Sequence, residues 1–251
     1  MYARMAHMQQ GRRGTDVADS MASGAAPAPA RKRRPVSPLT FLGVVLLAAG
    51  LVCLGWVGWQ YFGTNIVSRQ EAGKEIAALK ESWGGPSAAP TATDEPVDGD
   101  GTPLAGSAQW LIRIPAFGSD YVWPIVAGVG VNDLSRGVGW YPTTSQPGEV
   151  GNFALAGHRI THGEPFRRML ELTVGDTIII ETRDAVLTYE LTSAPGQLTV
   201  QDTETWVLDP VPGHEDVTPS EALITLTTCE DLFHSPDRSV AFGKLATTET
   251  K

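Results

Sequence analysis

The 251-residue sequence predicts one membrane-spanning helix followed by an all-β domain, either a closed barrel or a sandwich. Three observations carry that expectation. Leu39 to Tyr61 is an uncharged run dominated by Leu, Val, Ala, Gly and Trp. Residues 84–108 are rich in Pro, Ala, Gly, Thr and Asp, a composition that buries no core. Beyond them, about 140 residues break into short β-branched and aromatic segments bounded by Gly, Pro, Asp or Asn.

Taken in order, residues 1–38 read as a basic cytoplasmic tail. They carry seven Lys/Arg against two Asp/Glu, with Arg31, Lys32, Arg33 and Arg34 just before the apolar run. Positive flanks stay on the cytoplasmic side, so everything after the span is expected outside the cell. Residues 39–62 are assigned to the transmembrane helix; at about 1.5 Å per residue they cross a hydrocarbon core of about 30 Å. A cleaved signal peptide fits less well, because both the run and its leader are too long and no small-x-small cleavage site follows. Trp56, Trp59, Tyr61 and Phe62 gather toward the outer end, as rings at headgroup level do.

Residues 63–83 place Ile76, Leu79 and Trp83 at helical spacing and predict a short juxtamembrane helix acting as a spacer. Residues 84–108 then read as a flexible acidic linker reaching about 25–30 Å. The chain carries −9 overall and its first 38 residues +5, leaving −14 for the rest, which argues against a nucleic-acid or polyanion partner.

Within 109–248, strands are expected at residues 110–114, 121–126, 152–156, 177–182, 185–191, 222–227 and 239–245, with Thr199 to Val207 supplying an eighth. Arg183-Asp184 fits a tight hairpin turn, and at most one helical turn falls between Pro165 and Leu172. No repeat of 20–50 residues occurs, which excludes a propeller or solenoid.

The chemistry concentrates near the C-terminus. Cys229 ends the run Thr225-Leu226-Thr227-Thr228-Cys229, and the only other cysteine, Cys53, lies in the apolar span as a small hydrophobe. An exported lone thiol at a strand end, beside the polar loop that starts with Glu230 and Asp231, is a candidate nucleophile. Those two carboxylates disfavour a thiolate unless a cation opposes them. His158 follows a strand through Gly157, a position suited to close backbone approach or a bulge that aims a ring into a cleft. His162 stands four residues on, but Gly157 and the strand context argue against a helical zinc pair; no metal and no cofactor are expected. His214 and His234 read as ordinary loop histidines. Arg238 starts the last strand nine residues after Cys229, so a hairpin brings the two within reach. Its guanidinium is a donor suited to an oxyanion.

These residues resemble the sortase family of membrane-anchored transpeptidases. The Thr-Leu-x-Thr-Cys signature stands at 225–229, the strand-end His at 158 and the final-strand Arg at 238. The resemblance covers about 109–245, and the anchor and basic tail agree with it. It implies a closed eight-stranded sortase-type β-barrel with short helices and three catalytic residues: Cys229, His158 and Arg238. It also implies attack on the Thr–Gly carbonyl of a Leu-Pro-x-Thr-Gly-like sorting signal of surface proteins, with transfer to a cell-wall amine. The acceptor implied is a lipid-linked peptidoglycan precursor. Gly139-Trp140-Tyr141-Pro142, Pro147 to Phe153 and Thr161 to Phe166 look like class E, the housekeeping type of actinobacteria associated with a Leu-Ala-x-Thr-Gly signal. In that frame Thr228 lends a hydroxyl or amide near the oxyanion, and Tyr141 meets the second signal position.

Two other readings compete. Another exported thiol acyl-transferase, such as an L,D-transpeptidase-like enzyme, places its Cys after a Ser-His-Gly type run, unlike Thr-Leu-Thr-Thr here. A tethered β-barrel binding module would leave Cys229, His158 and Arg238 incidental.

Overall fold

The computed structural model describes residues 37–84, 103–229 and 236–251; most of the basic tail and the linker, and Glu230, Asp231 and His234, lie outside them. The chain divides into two compact units, Met1–Leu47 and Ala48–Lys251.

Helix α1, Pro38–Gly58, starts on a proline whose fixed φ suits the first helical turn. The Ser37 hydroxyl caps it, accepting the Thr40 N–H at 3.2 Å. Its 21 residues are apolar and long enough to cross a membrane. A π-helical turn, Trp59–Gly63, leads into α2, Thr64–Gly84.

Among the described residues nine strands follow: β1 (Ala108–Arg113), β2 (Trp123–Ala127), β3 (Val138–Trp140), β4 (Gly151–Ala156), β5 (Thr177–Glu181), β6 (Ala185–Leu191), β7 (Thr199–Gln201), β8 (Ala222–Cys229) and β9 (Asp237–Thr250). Eight of them form a ring in the order β6-β5-β1-β2-β3-β4-β8-β9, closed by pairing of β9 with β6. The fold is therefore a closed eight-stranded barrel. Two pairings are parallel, β2 with β3 and β4 with β8; the other ring pairings are antiparallel. Strand β9, 14 residues long, closes the ring by facing β8 along its first half and β6 along its second.

The eighth barrel strand is β3, where the sequence pointed to Thr199–Val207. Residues 199–201 do form β7, but it pairs with β9 outside the ring, and the chain then turns through a 3₁₀ segment at Thr205–Leu208. Strand β3 escapes sequence patterning because it has three residues with Gly139 at its centre. A Cβ at Gly139 would run into the Gly128 carbonyl and the Leu134 side chain, so the residue that blurs the pattern is the one the close packing requires.

The barrel interior is filled by Ile112, Ile125, Phe153, Leu155, Ile178, Ile180, Ile224 and Leu226. Trp110 meets Trp140 and Phe153 edge-on at centroid separations of 5.3 and 5.6 Å, geometries that add about 0.5–1.5 kcal/mol per pair beyond burial. Strand β4 is buried along its whole length rather than on alternate residues. A second cluster, Val200, Val207 and Val240 with Trp206 and Phe242, forms beside β9 under the segment that follows β7.

Helix α2 packs on the barrel rather than standing as a spacer. Ser68 and Ala72 are buried, Ala72 within the main core cluster, and Glu75 pairs with Arg136 at 2.8 Å. At the other end Lys251 sits over the Trp83 ring at 4.5 Å. The docking face carries Asn65, Ser68, Ala72 and Glu75, small and polar residues that an apolar pattern does not flag. The ordered barrel also exceeds the expected 109–248 at both ends, with β1 starting at Ala108 and β9 running to Thr250.

Candidate active site

The site is assembled where three strands meet at one rim. Strands β4 and β8 run parallel with Ala156 level with Thr227, so both end on the same side of the barrel. Two hydrogen bonds extend this register past the end of β4. The Gly157 N–H donates to the Thr227 carbonyl at 3.1 Å, and the Thr228 hydroxyl donates to the Gly157 carbonyl at 2.8 Å. His158 and Cys229 each follow this bonded pair, Gly157 and Thr228, by one residue. Strand β9 begins at this rim in the opposite direction, and its Arg238 is the cross-strand partner of Cys229. Residues directly opposite in an antiparallel pair have Cβ atoms about 4.5–5.5 Å apart. A Cys and an Arg nine residues apart in sequence are thus paired directly, and a His 71 residues before that Cys follows the residue bonded to Thr228.

Arg238 is oriented by acceptors on both sides. One guanidinium nitrogen lies 3.5 Å from the Asp202 carboxylate and another donates to the Asp237 carbonyl at 3.1 Å. Asp202 is itself held by its N–H, which donates to the Pro236 carbonyl at 2.8 Å. Sequence reasoning missed Asp202: only the pairing of β7 with β9 brings it to Arg238.

His158 opens a tight loop. The Phe166 N–H returns to the His158 carbonyl at 3.0 Å, and the buried Phe166 ring packs where a Gly157 side chain would stand, about 2.6 Å from an added Cβ. Gly157 is therefore a close-approach glycine. His162 stacks on His158 with ring centroids 4.6 Å apart and planes inclined by 25°, and its Nδ1 lies 3.0 Å from the Thr161 hydroxyl. Desolvation by burial lowers the His162 pKa, which favours a neutral ring next to His158. Among the described residues no group of three or more His, Cys, Asp and Glu is placed to hold a metal ion.

The strands behind the rim are pinned by a buried polar network. Asn152 donates to the Val207 and Asp209 carbonyls, both at 3.0 Å, and its Oδ1 accepts the Thr225 hydroxyl at 2.8 Å. The Thr227 hydroxyl donates across to the Leu155 carbonyl at 3.1 Å. Of the threonines in the Thr-Leu-Thr-Thr-Cys run, all three therefore stitch β8 to its surroundings.

Tyr141 is not brought to this rim. Strand β3 runs antiparallel to β4, and the Tyr141 N–H donates to the Ala154 carbonyl at 3.1 Å, four residues short of His158 or about 13 Å along the strand. A cleft of about 410 Å³ opens among Arg69, Tyr121, Trp123, Glu164, Pro165 and Arg167; its lining includes none of Cys229, His158 and Arg238.

The closed eight-stranded barrel carries Cys229 and Arg238 on paired strand ends at one rim, with His158 two residues past the end of β4. The sortase domain model matches residues 112–246, and the chain belongs to the sortase family, in its class E-like branch. It is 33% identical over 226 residues to sortase SrtE1 of Streptomyces coelicolor, covering 86% of this chain and 60% of that protein's length. The structure of sortase E from Streptomyces avermitilis aligns with a TM-score of 0.53 at 32% identity, over 58% of this chain and 92% of that one. That of sortase E1 from Streptomyces coelicolor with a tripeptide in its active site aligns at 0.50 and 37%, over 57% and 90%.

Proposed function

We propose that this protein is a membrane-anchored cysteine transpeptidase. It cleaves a Leu-Ala/Pro-x-Thr-Gly-like sorting signal between Thr and Gly and joins the threonyl group to a cell-wall amine. The observation that carries this reading is the cross-strand pairing of Cys229 with Arg238, at the rim where β4 also ends, two residues before His158. The relative whose structure holds a tripeptide in its active site supports a peptide substrate.

The Cys229 thiolate attacks the threonyl carbonyl, and Arg238 donates to the oxyanion that forms. As the C–N bond breaks, His158 gives its proton to the departing glycyl amine, leaving a thioester on Cys229. An incoming amine attacks the thioester carbonyl and loses its proton to His158. The C–S bond breaks, the thiolate returns and an amide is released. The neutral ring of His162 leaves His158 able to carry positive charge without a second cation stacked on it. Thr228 acts beside the oxyanion through its backbone, its hydroxyl being engaged with Gly157. Tyr141 contributes only to the far end of an extended signal. The amine is assigned to a lipid-linked peptidoglycan precursor. The apolar helix α1 serves as anchor, with the basic tail cytoplasmic and the barrel outside.

The test uses the full-length protein in detergent micelles with a Leu-Ala-x-Thr-Gly peptide and a glycine-type amine. Amide product from the parent and none from Cys229→Ala is the expected result. Absence of product, with Cys229→Ala indistinguishable from the parent, refutes the reading.

A further inference from the structure

We infer that Asn65, on the helix that follows the membrane span, is a positioning residue for His158. It acts through the loop that connects the two. This rests on the transpeptidase reading above, which makes His158 the proton carrier.

The loop after His158 contains three successive residues in the left-handed region: His162, Gly163 and Glu164, with φ of 53°, 82° and 57°. Gly adopts this conformation freely; His and Glu do so against the steric preference of an L-residue, so the turn needs support from outside itself. Asn65 supplies it from α2. Its Oδ1 accepts the Gly163 N–H at 2.8 Å and its Nδ2 donates to the Glu164 Oε1 at 2.8 Å. Both ends of one amide are engaged by consecutive residues of the turn, which fixes the amide's orientation and the turn's. On its other side Gly163 lies against Trp123, with no room for a Cβ.

The first residue of this turn is His162, whose ring stacks on His158 at 4.6 Å. The contacts form one chain: Asn65 to Gly163 and Glu164, the turn to His162, and His162 to His158. Helix α2 is a firm base for it, because Ser68 and Ala72 are each 3% exposed, Arg69 lies 6.0 Å from the Trp123 ring and Glu75 pairs with Arg136. Asn65 stands seven residues beyond the end of the apolar helix and outside the segment 112–246 that the family model matches. The residues that orient the base therefore extend beyond the barrel into the membrane-proximal helix.

A role swap provides the test, on full-length protein in micelles. In Asn65→Ala the turn loses both bonds; kcat is expected to fall about tenfold with KM within about twofold, since a small displacement of a base acts on the chemical step. Asn65→Asp sets a carboxylate against Glu164 and is expected to fall at least as far. Glu164→Gln alone keeps an acceptor for Asn65 but gives up the ion pair with Arg167 at 2.6 Å, and is expected to fall less than Asn65→Asp. The double variant Asn65→Asp/Glu164→Gln keeps the bond from the Gly163 N–H and restores the side-chain bond with donor and acceptor exchanged, and should recover most of the lost kcat. Parental kcat in Asn65→Ala, or a double variant no better than Asn65→Asp, overturns the inference. Amide exchange supplies a readout independent of turnover: residues 158–166 should exchange faster in Asn65→Ala while β5 and β6 remain protected. Unchanged exchange in that loop also overturns it. A parent that makes no amide product would refute the transpeptidase reading instead, and the exchange result would still decide the clamp.

Discussion

The hydroxyl of Thr228 donates to the carbonyl of Gly157 at 2.8 Å, joining the residue before the candidate nucleophile to the residue before the candidate base. Both strands end here, so this bond ties the two segments together one residue before Cys229 and one before His158. Thr228→Val keeps the shape and removes the donor, leaving a buried carbonyl unmatched at a cost of about 1–3 kcal/mol. A urea titration should show that loss, and turnover should fall in a protein that is still folded. Thr228→Ser should retain most of both.

Arg238 faces Cys229 across the ladder and donates through a planar fork, which an ammonium does not reproduce. Arg238→Lys is therefore expected to lower kcat/KM about 10²–10³-fold, the range for removing one oxyanion donor. Its partner Asp202 is half exposed, and a screened pair of that kind is worth at most about 1 kcal/mol. Asp202→Asn should reduce kcat/KM by less than about fivefold; a loss as deep as that of Arg238→Lys would show that the carboxylate takes a direct part.

Asn152 is 1% exposed and satisfies two carbonyls and one hydroxyl. Replacing it with Ala leaves several buried polar atoms short of partners, so Asn152→Ala is expected to lose on the order of 3 kcal/mol. Calorimetry should register this as a drop of about 2–4 °C in Tm per kcal/mol. A change below 1 °C would mean that water replaces the network.

Burial lowers the His162 pKa below the ordinary 6.5, so on acidification the unfolded chain takes up this proton before the folded one does. The folded state consequently loses stability as pH falls through 6.5, and this loss stops growing once pH is below the folded pKa. Above that range His162 contributes no pH dependence. His162→Asn, which tolerates the left-handed backbone, should flatten the decline in urea midpoint between about pH 7.5 and 5.5. An unchanged slope would assign the decline to other groups.

Much of the barrel was legible because its strands follow local rules. Residues 177–182 and 185–191 are rich in β-branched and aromatic residues and flank a two-residue turn, and they form β5 and β6 as that composition suggests. Where the pattern failed, a tertiary contact had replaced a local preference. Strand β3 is too short and glycine-centred to announce itself, and its place in the ring is secured by β2 and β4. Helix α2 shows apolar spacing at Ile76, Leu79 and Trp83, yet Asn65, Ser68 and Ala72 are the residues that lock it down.

The candidate site divides along the same line. Cys229, His158 and Arg238 stand out from sequence because a lone thiol at a strand end, a His after Gly and an Arg at hairpin distance are uncommon combinations of chemistry and position. Asp202, the stacking of His162 on His158 and the reach of Asn65 to Gly163 are invisible there, since each joins segments whose separation carries no periodic signal.

By itself the sequence determined the apolar span, the strand-rich domain and the candidates Cys229, His158 and Arg238, because hydrophobic length, alternation and side-chain chemistry are local properties. Only the tertiary structure decided which strand ends share a rim, what holds Arg238, and that the helix after the span buttresses the loop of His158. Those depend on register and packing between distant segments, where one hydrogen bond such as Thr228 to Gly157 selects a single arrangement among many that the same local preferences allow.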